Sequence, residues 1–392
     1  MKWASAIATQ MTAEAAVLDV CDSLRTQLAG ESPQLLLVFA SPHYREAFVR
    51  LPSLLLAQFP GATLIGCSGG GIIGKSRLGD SLEVERGPAL AVTAAVLPGV
   101  RLTTFHYELN DLPKSPEAWH VVVPPSTHPA FVLLPEPYSC DLEQLITGLD
   151  AAYPGAATAG GVASGGRGAG DHALFVGSTM YRDGVVGVAL SGNVVMDTLV
   201  AQGCRPIGAP SIITRCERNL LLELGGQPAL PVLKQLFETL DPHERQLFRS
   251  SLFLGIQMKD DQLEYQHGDF LIRNVLGVEP DRNAVVVGAM LTPYQAVQFH
   301  LRDAEASAED LRKHLVLHRQ SRPTPQGALL FSCLGRGEGL YGRTGYDSQL
   351  FAQHMGPVPL TGFFCNGEIG PVSGTTFVHG YTSSFALLSP RS

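Results

Sequence analysis

The sequence has no Cys-x-x-Cys pair, no run of Lys and Arg longer than two residues, and no apolar stretch of 18 residues. Each absence argues against a class of protein. The seven cysteines, at positions 21, 67, 140, 204, 216, 333 and 365, are scattered and odd in number. That pattern speaks against a disulfide framework and for free thiols in a reducing compartment, so a cytoplasmic location is expected. Acidic residues number 36 against 28 basic, a formal charge of -8. With no basic cluster beside that balance, neither a nucleic-acid surface nor an anionic-membrane surface is expected. Without a long apolar run, no transmembrane helix is expected. Thr9, Gln10 and Glu14 interrupt the start too early for a secretion signal.

Glycine, by contrast, is plentiful, at 42 residues, and it is concentrated in a few loops. The length of 392 residues and the 45% apolar content suit two domains with ordinary cores. Hydrophobic periodicity predicts a strand over 3–8 and a helix over 12–28 with Thr12 as its N-cap. A buried strand over 35–39, a helix over 44–58 despite Pro52, and a strand over 63–67 entering a glycine run follow. Strands over 81–85 and 89–97, joined by short turns, point to antiparallel pairing. The region 118–190 echoes this order, with strands over 119–124 and 130–134, a helix over 141–152 and a final hairpin. Phe59-Pro60-Gly61-Ala62-Thr63 finds a partner about 94 residues later in Tyr153-Pro154-Gly155-Ala156-Ala157. Both segments lead into glycine runs, so an internal duplication is expected.

A cluster of Gly and Pro over 203–210 marks a boundary. Beyond it, a helix over 228–240, several strands between 252 and 301, and a helix over 308–319 preceded by Ser307 are predicted. A strand over 328–332, a helix over 346–353 and the last strands up to 388 close the chain. The expected fold is therefore α/β, with mixed, largely antiparallel sheets flanked by helices. Residues 1–205 form a duplicated N-terminal region, and 206–392 form a C-terminal module packed against it. The element order is not the regular alternation of a doubly wound nucleotide fold.

Three glycine-rich strand ends are the candidate sites. The first is Cys67-Ser68-Gly69-Gly70-Gly71, whose glycines allow positive φ and whose N–H groups suit a carboxylate or phosphate. It fits neither a dinucleotide loop nor a Walker A loop. The second runs from Ser332 to Gly339 and carries Arg336, a fork for a carboxylate, or else a structural bridge to Glu338 or Glu368. The third is Cys365-Asn366-Gly367-Glu368, where Asn366 and Glu368 suit an amine or amide. At each, the alternative is a plain tight turn. His314 and His318 share a helix face, but their neighbours Arg312 and Lys313 indicate a solvated flank, and no metal site is expected.

Taken together, these motifs resemble the FIST family, with both its N-terminal and C-terminal modules, over about residues 25 to 375. The marks are Gly66-Cys67-Ser68-Gly69-Gly70, Gly160-Gly161, Phe299 to Asp303, Leu329 to Gly337, and Gly362 to Pro371. The resemblance implies an intracellular sensory module that binds small molecules, amino acids among them. Members accompany histidine kinases, chemoreceptors or cyclic-dinucleotide enzymes; some relatives bind haem and sense nitric oxide, and a eukaryotic relative is joined to an F-box. The chain has no room for such an output segment, so signalling through a separate partner is expected. The leading expectation is a non-catalytic binding protein whose ligand sits near Cys67, Ser68, Arg336, Asn366 and Glu368. An enzyme with Cys67, Cys333 or Cys365 as nucleophile, a haem sensor, and a scaffold are the alternatives.

Overall fold

The computed structural model describes residues 1–124, 129–259 and 264–391. β1 (Lys2–Ala8) leads through α1 (Ala13–Leu28) to β2 (Leu35–Ala40), and α2 (Leu51–Gln58) leads to β3 (Thr63–Ser68). A hairpin of β4 (Gly71–Lys75) and β5 (Ser81–Val84) precedes β6 (Leu90–Val96). The same course then repeats: β7 (Val100–Tyr107), α3 (Pro116–Val122), β8 (Ala130–Pro135), α4 (Leu142–Ala152) and β9 (Ala157–Gly161). Its hairpin is β10 (Leu174–Val176) and β11 (Thr179–Tyr181), and its last strand is β12 (Val185–Gly192). A third course opens with β13 (Val195–Gln202) and is interrupted by β14 (Cys204–Glu217), β15 (Leu220–Leu224), β16 (Gln227–Pro228), α5 (Ala229–Thr239) and α6 (Pro242–Ser250). The interruption continues with β17 (Leu252–Gln257), β18 (Phe270–Glu279), β19 (Ala284–Val287) and β20 (Ala296–Arg302). The third course resumes with α7 (Ala304–Ser321), β21 (Gly327–Cys333), α8 (Glu338–Tyr341), α9 (Tyr346–Met355) and β22 (Leu360–Cys365). It ends with the hairpin β23 (Glu368–Val372) and β24 (Thr375–His379), and β25 (Thr382–Ser389).

Three six-stranded sheets result, ordered β1-β6-β2-β3-β10-β11, β7-β12-β8-β9-β23-β24 and β13-β25-β21-β22-β4-β5. By place in the repeat, the order is the same each time: first strand, last, second, third, then a hairpin from another repeat. The exchange is cyclic. The first repeat's hairpin completes the third sheet, the second's completes the first, and the third's completes the second. In every sheet the second and third strands are parallel. The last strands run antiparallel to the second strands, β6 to β2, β12 to β8 and β25 to β21. The exchanged hairpins also join antiparallel, β10 to β3, β23 to β9 and β4 to β22. The sheets are thus mixed and largely antiparallel, and helices flank them, as expected.

The equivalence reaches single residues. Gly66 lies opposite Val38, Gly160 opposite Leu133, and Gly362 opposite Leu330. A Cβ on these glycines would lie 2.0, 2.0 and 1.8 Å from the facing carbonyl oxygens of Val38, Leu133 and Leu330. Only glycine lets the two backbones approach this closely. The helix before each second strand begins on a polar cap: Thr12 accepts from the Ala15 N–H, Ser115 from Ala118 and Asp303 from Ala306. Leu37, Val132 and Leu329, and again Phe39, Leu134 and Phe331, point inward from the three second strands into one shared core. The outward faces of the first and second sheets are covered by α1 with α2 and by α3 with α4.

By its contacts the chain forms two compact units, Met1–Val200 with Arg312–Val378 and Thr382–Ser392, and Ala201–Leu311 with His379–Tyr381. The second unit is a barrel: β14-β20-β17-β18-β19-β15 closes on itself because β15 also pairs with β14. Closure removes the exposed strand edges. Its core gathers Ile213, Leu221, Leu254, Val285, Val297 and Leu301, with α5 packed on it through Leu233. Residues 312–378 belong with 1–200 because their strands complete the third sheet together with β4 and β5.

Several local expectations are corrected. Residues 119–124 were expected as a strand, yet 116–122 are helical. The Ser115-Pro116 start, a cap followed by proline at the first helical position, outweighs the Val121-Val122-Val123 run. The helix expected over 44–58 is a 3-10 turn, Pro42–Ala47, and then α2, with Pro52 in the first turn of α2 where its missing N–H costs nothing. Ser307 lies inside α7, whose cap is Asp303. The Pro and Gly of 206–210, read from the sequence as a boundary, lie within β14 and interrupt its register against β20; the division between the two compact units falls at Val200–Ala201.

Candidate functional site

The third strands β3, β9 and β22 end in glycine-rich segments at 66–71, 160–166 and 365–367, the motif over 332–339 follows the second strand β21, and these strand ends meet within the first unit. Ser164, in the loop after β9, is their junction. Its Oγ accepts from the Gly70 N–H at 2.8 Å and donates to the carbonyl of Phe364. Its carbonyl accepts from Ser68 Oγ at 3.1 Å, and Ser68 Oγ accepts in turn from the Ala173 N–H. Asn366 donates through Nδ2 to the Ala163 carbonyl at 2.8 Å and through its N–H to Val162 at 3.0 Å. Leu334 donates to the carbonyl of Cys365 at 3.1 Å. Ser164 was not among the residues expected at the site; its signal in the sequence is that of a single polar residue among glycines.

Gly69, Gly70 and Gly71 do not adopt positive φ. They are small for another reason: Cβ atoms here would lie 2.8, 2.8 and 2.7 Å from Phe363, Leu334 and Phe364. The expected anion nest is partly occupied as well, since the N–H groups of Gly69 and Gly70 serve Ala40 and Ser164. Cys67, Ser68, Gly69 and Gly71 are buried, Gly70 is half-buried, and Asn366 is exposed.

Arg336 is 1% exposed, and its fork is filled from within the chain. Nε and Nη2 donate to Asp347 at 2.7 and 3.0 Å, and Nη2 also donates to Tyr341 at 2.6 Å. The structural bridge foreseen for Arg336 therefore exists, with Asp347 as partner rather than Glu338 or Glu368. Nothing in the sequence around Asp347 announced this. Burial opposes charge on Arg336, but Asp347 outweighs it and holds the guanidinium charged. Burial likewise raises Asp347, yet Arg336, Ser383 and Tyr341 together bring its carboxyl below the usual range. Ser332 and Ser383 donate to the same Asp347 oxygen. Arg336 Nη1 has no hydrogen-bond partner and is buried. Nearby on β5, Glu83 accepts from the Ser348 N–H through Oε1, while its Oε2 is buried without a partner. Burial, then the Asp347 charge, pushes the Glu83 carboxyl up to about 7.

Glu368 is fully buried. Its Oε2 accepts from the N–H and Oγ1 of Thr382 at 3.1 and 2.8 Å, and its Oε1 accepts from Cys365 Sγ at 3.3 Å. Burial pushes this carboxyl up to about 7 against the pull of Thr382. The thiols of Cys67 and Cys365 are likewise raised well above their ordinary value by burial, which disfavours the thiolate a nucleophile needs. Across the junction, the Glu136 carboxylate accepts from Ser139 and from the N–H groups of Tyr138 and Ser139, and meets His172 Nδ1 at 2.8 Å. His172 Nε2 is buried without a partner. Among the described residues, no group of three His, Cys, Asp or Glu is placed to hold a metal.

The family model for the FIST N domain matches residues 34–227, and that for the FIST C domain matches residues 229–371. The chain belongs to the FIST family. FIST domains are sensory modules that bind small ligands. An uncharacterized Mycobacterium tuberculosis protein, MT0656, is 36% identical over 382 residues, 97% of this chain and 98% of that one. An uncharacterized Mycobacterium bovis protein, Mb0898c, is 34% identical over 384 residues, 97% of each. An F-box/LRR-repeat protein of Arabidopsis thaliana matches 28% of this chain and 24% of its own length at 29% identity. Among solved structures, a cyanuric acid hydrolase from A. caulinodans aligns over 100% of this FIST chain and 99% of its own at a TM-score of 0.34 and 8% identity. Of the FIST marks, Asp303 is plainly structural, since it caps α7 and pairs with Arg205 at 3.0 Å. No helix among the described residues is long and apolar enough to cross a membrane.

Proposed function

We propose that this FIST protein is a cytoplasmic sensor of a small zwitterion, an amino acid or a similar metabolite, and that it signals through a separate protein partner. The observation that carries the reading is the pair of buried, unpartnered polar atoms beside Asp347: Arg336 Nη1, a charged donor, and Glu83 Oε2, an acceptor. Buried groups of this kind are costly unless a ligand or water completes them. One suits a ligand carboxylate and the other an ammonium group. Glu368, Cys365, Asn366 and the Cys67–Gly71 segment frame the same strand ends. A ligand ammonium at Glu83 would favour the ionised carboxylate, so binding releases a proton near neutral pH. Seven free cysteines support the cytoplasmic placement.

Thermal-shift screening against the amino acids tests this, with haem in the same panel as the competing ligand. One or a few zwitterions should raise Tm in a dose-dependent way. The shift should vanish in Arg336→Lys, which keeps a charge for Asp347 but lacks Nη1, and in Glu83→Gln. A panel without any hit, or a hit that survives both substitutions, refutes the reading.

A further inference from the structure

We propose that the barrel unit carries a second, separate binding site, for small amphipathic anions with an apolar body and a terminal carboxylate, in the cleft between α5, α6 and β18. The cleft has a volume of about 780 Å³ and is lined by residues of these three elements and β17. That size lies in the usual range for small-ligand sites. Its wall on the helical side is apolar: Leu233, Phe237 and Phe248 line it, the two phenyl rings edge to face with centroids 5.1 Å apart.

On the strand side, the register of β18 against β19 shifts between Val275 and Gly277. The residue at that irregularity, Leu276, lines the cleft while 62% exposed. Bulges of this kind redirect side chains and recur beside binding sites. The charges in the lining select the ligand's sign. Lys234 and Arg249 both line the cleft, and neither is paired with a carboxylate among the described residues. The Arg249 guanidinium lies 5.8 Å from the Phe237 ring centroid, so a cation stands directly over the apolar wall. Arg245, by contrast, is occupied by the carbonyls of Phe237 and Glu238. One acid, Glu238, shares the lining, which leaves it net positive. An apolar wall with two uncommitted cations takes an amphiphile through its chain and fixes its carboxylate at Arg249 and Lys234.

Titration calorimetry with decanoate, decanol and decyltrimethylammonium, all below micelle formation, tests the assignment. Decanoate should bind, octanoate about tenfold more weakly, and the ammonium compound not measurably. Arg249→Ala and Lys234→Ala should each weaken decanoate at least about fivefold and leave decanol unchanged. Leu276→Ser should weaken both. Arg336→Lys, in the other unit, should change nothing, which keeps this site's fate separate from that of the zwitterion site. Equal binding of the anion and the cation overturns the proposal. So does no decanoate binding at millimolar concentration, an unchanged affinity in Arg249→Ala and Leu276→Ser, or self-association through the cleft that decanoate does not displace.

Discussion

Ile72, Leu174 and Glu368 hold the same place in three equivalent hairpins. Each is the residue paired with the one after the close-approach glycine: Ile72 with Phe363, Leu174 with Cys67, Glu368 with Gly161. Two are aliphatic members of the shared core, and the third is a carboxylic acid buried just as deeply. The difference is tolerated because the third repeat supplies Thr382 and Cys365 as donors. Two residues beyond the inward-facing Phe39, Leu134 and Phe331, the same divergence appears: Ser41, Glu136 and Cys333 occupy that position in turn. A threefold backbone is thus maintained by glycines and caps common to all repeats, while polar chemistry is confined to single copies.

The sharpest way to break the comparison is at its shared element. Gly66→Ala, Gly160→Ala and Gly362→Ala should each cost about 5 kcal/mol or more, because the new Cβ meets a backbone carbonyl that cannot retreat. Similar losses in denaturant unfolding would support the equivalence, and one tolerant position would break it. Next comes a feature found in the third repeat. Arg336→Ala leaves Asp347 buried and uncompensated, a loss of about 3–5 kcal/mol, and Arg336→Met with Asp347→Leu should regain much of it. If the double variant is no better than the single, the pair is not the unit of stability.

Glu368 sharpens the comparison through pH. Its folded pKa of about 7 lies above the ordinary 4.5, so the folded state holds the proton more tightly. The resulting stability is fully present below about pH 4.5 and lost as pH rises through 7, by about 3 kcal/mol. Glu83 contributes a loss of the same sign. Urea unfolding between pH 4.5 and 8 should fall less steeply in Glu368→Gln than in the parent protein, and an identical slope would mean that Glu368 does not titrate there. The smallest effect belongs to the caps. Thr12→Ala and Ser115→Ala should each cost about 1 kcal/mol in the same assay, and a much larger loss at one would show that its side chain does more than cap.

The sequence alone determined whatever depends on neighbours along the chain. Apolar runs marked β2, β8 and β21; Thr12 announced α1; glycine runs marked the ends of the third strands. The likeness of 59–63 to 153–157 was visible because the two segments precede equivalent strands at a short interval. Its third counterpart was hidden, since β14 to β20 lie between β13 and β21 and push Gly362 far from Gly160. Tertiary structure decided the rest. Which hairpin completes which sheet depends on pairings across the whole chain, such as Phe363 with Ile72, and strand patterns of alike hydrophobicity do not encode their partners. Asp347 and Thr382 reach Arg336 and Glu368 only through packing of α9 and β25 near those strand ends, so no local spacing foretold them. The glycines at 69–71 looked like an anion nest by composition; their role came from Phe363, Leu334 and Phe364, which the fold brings against them.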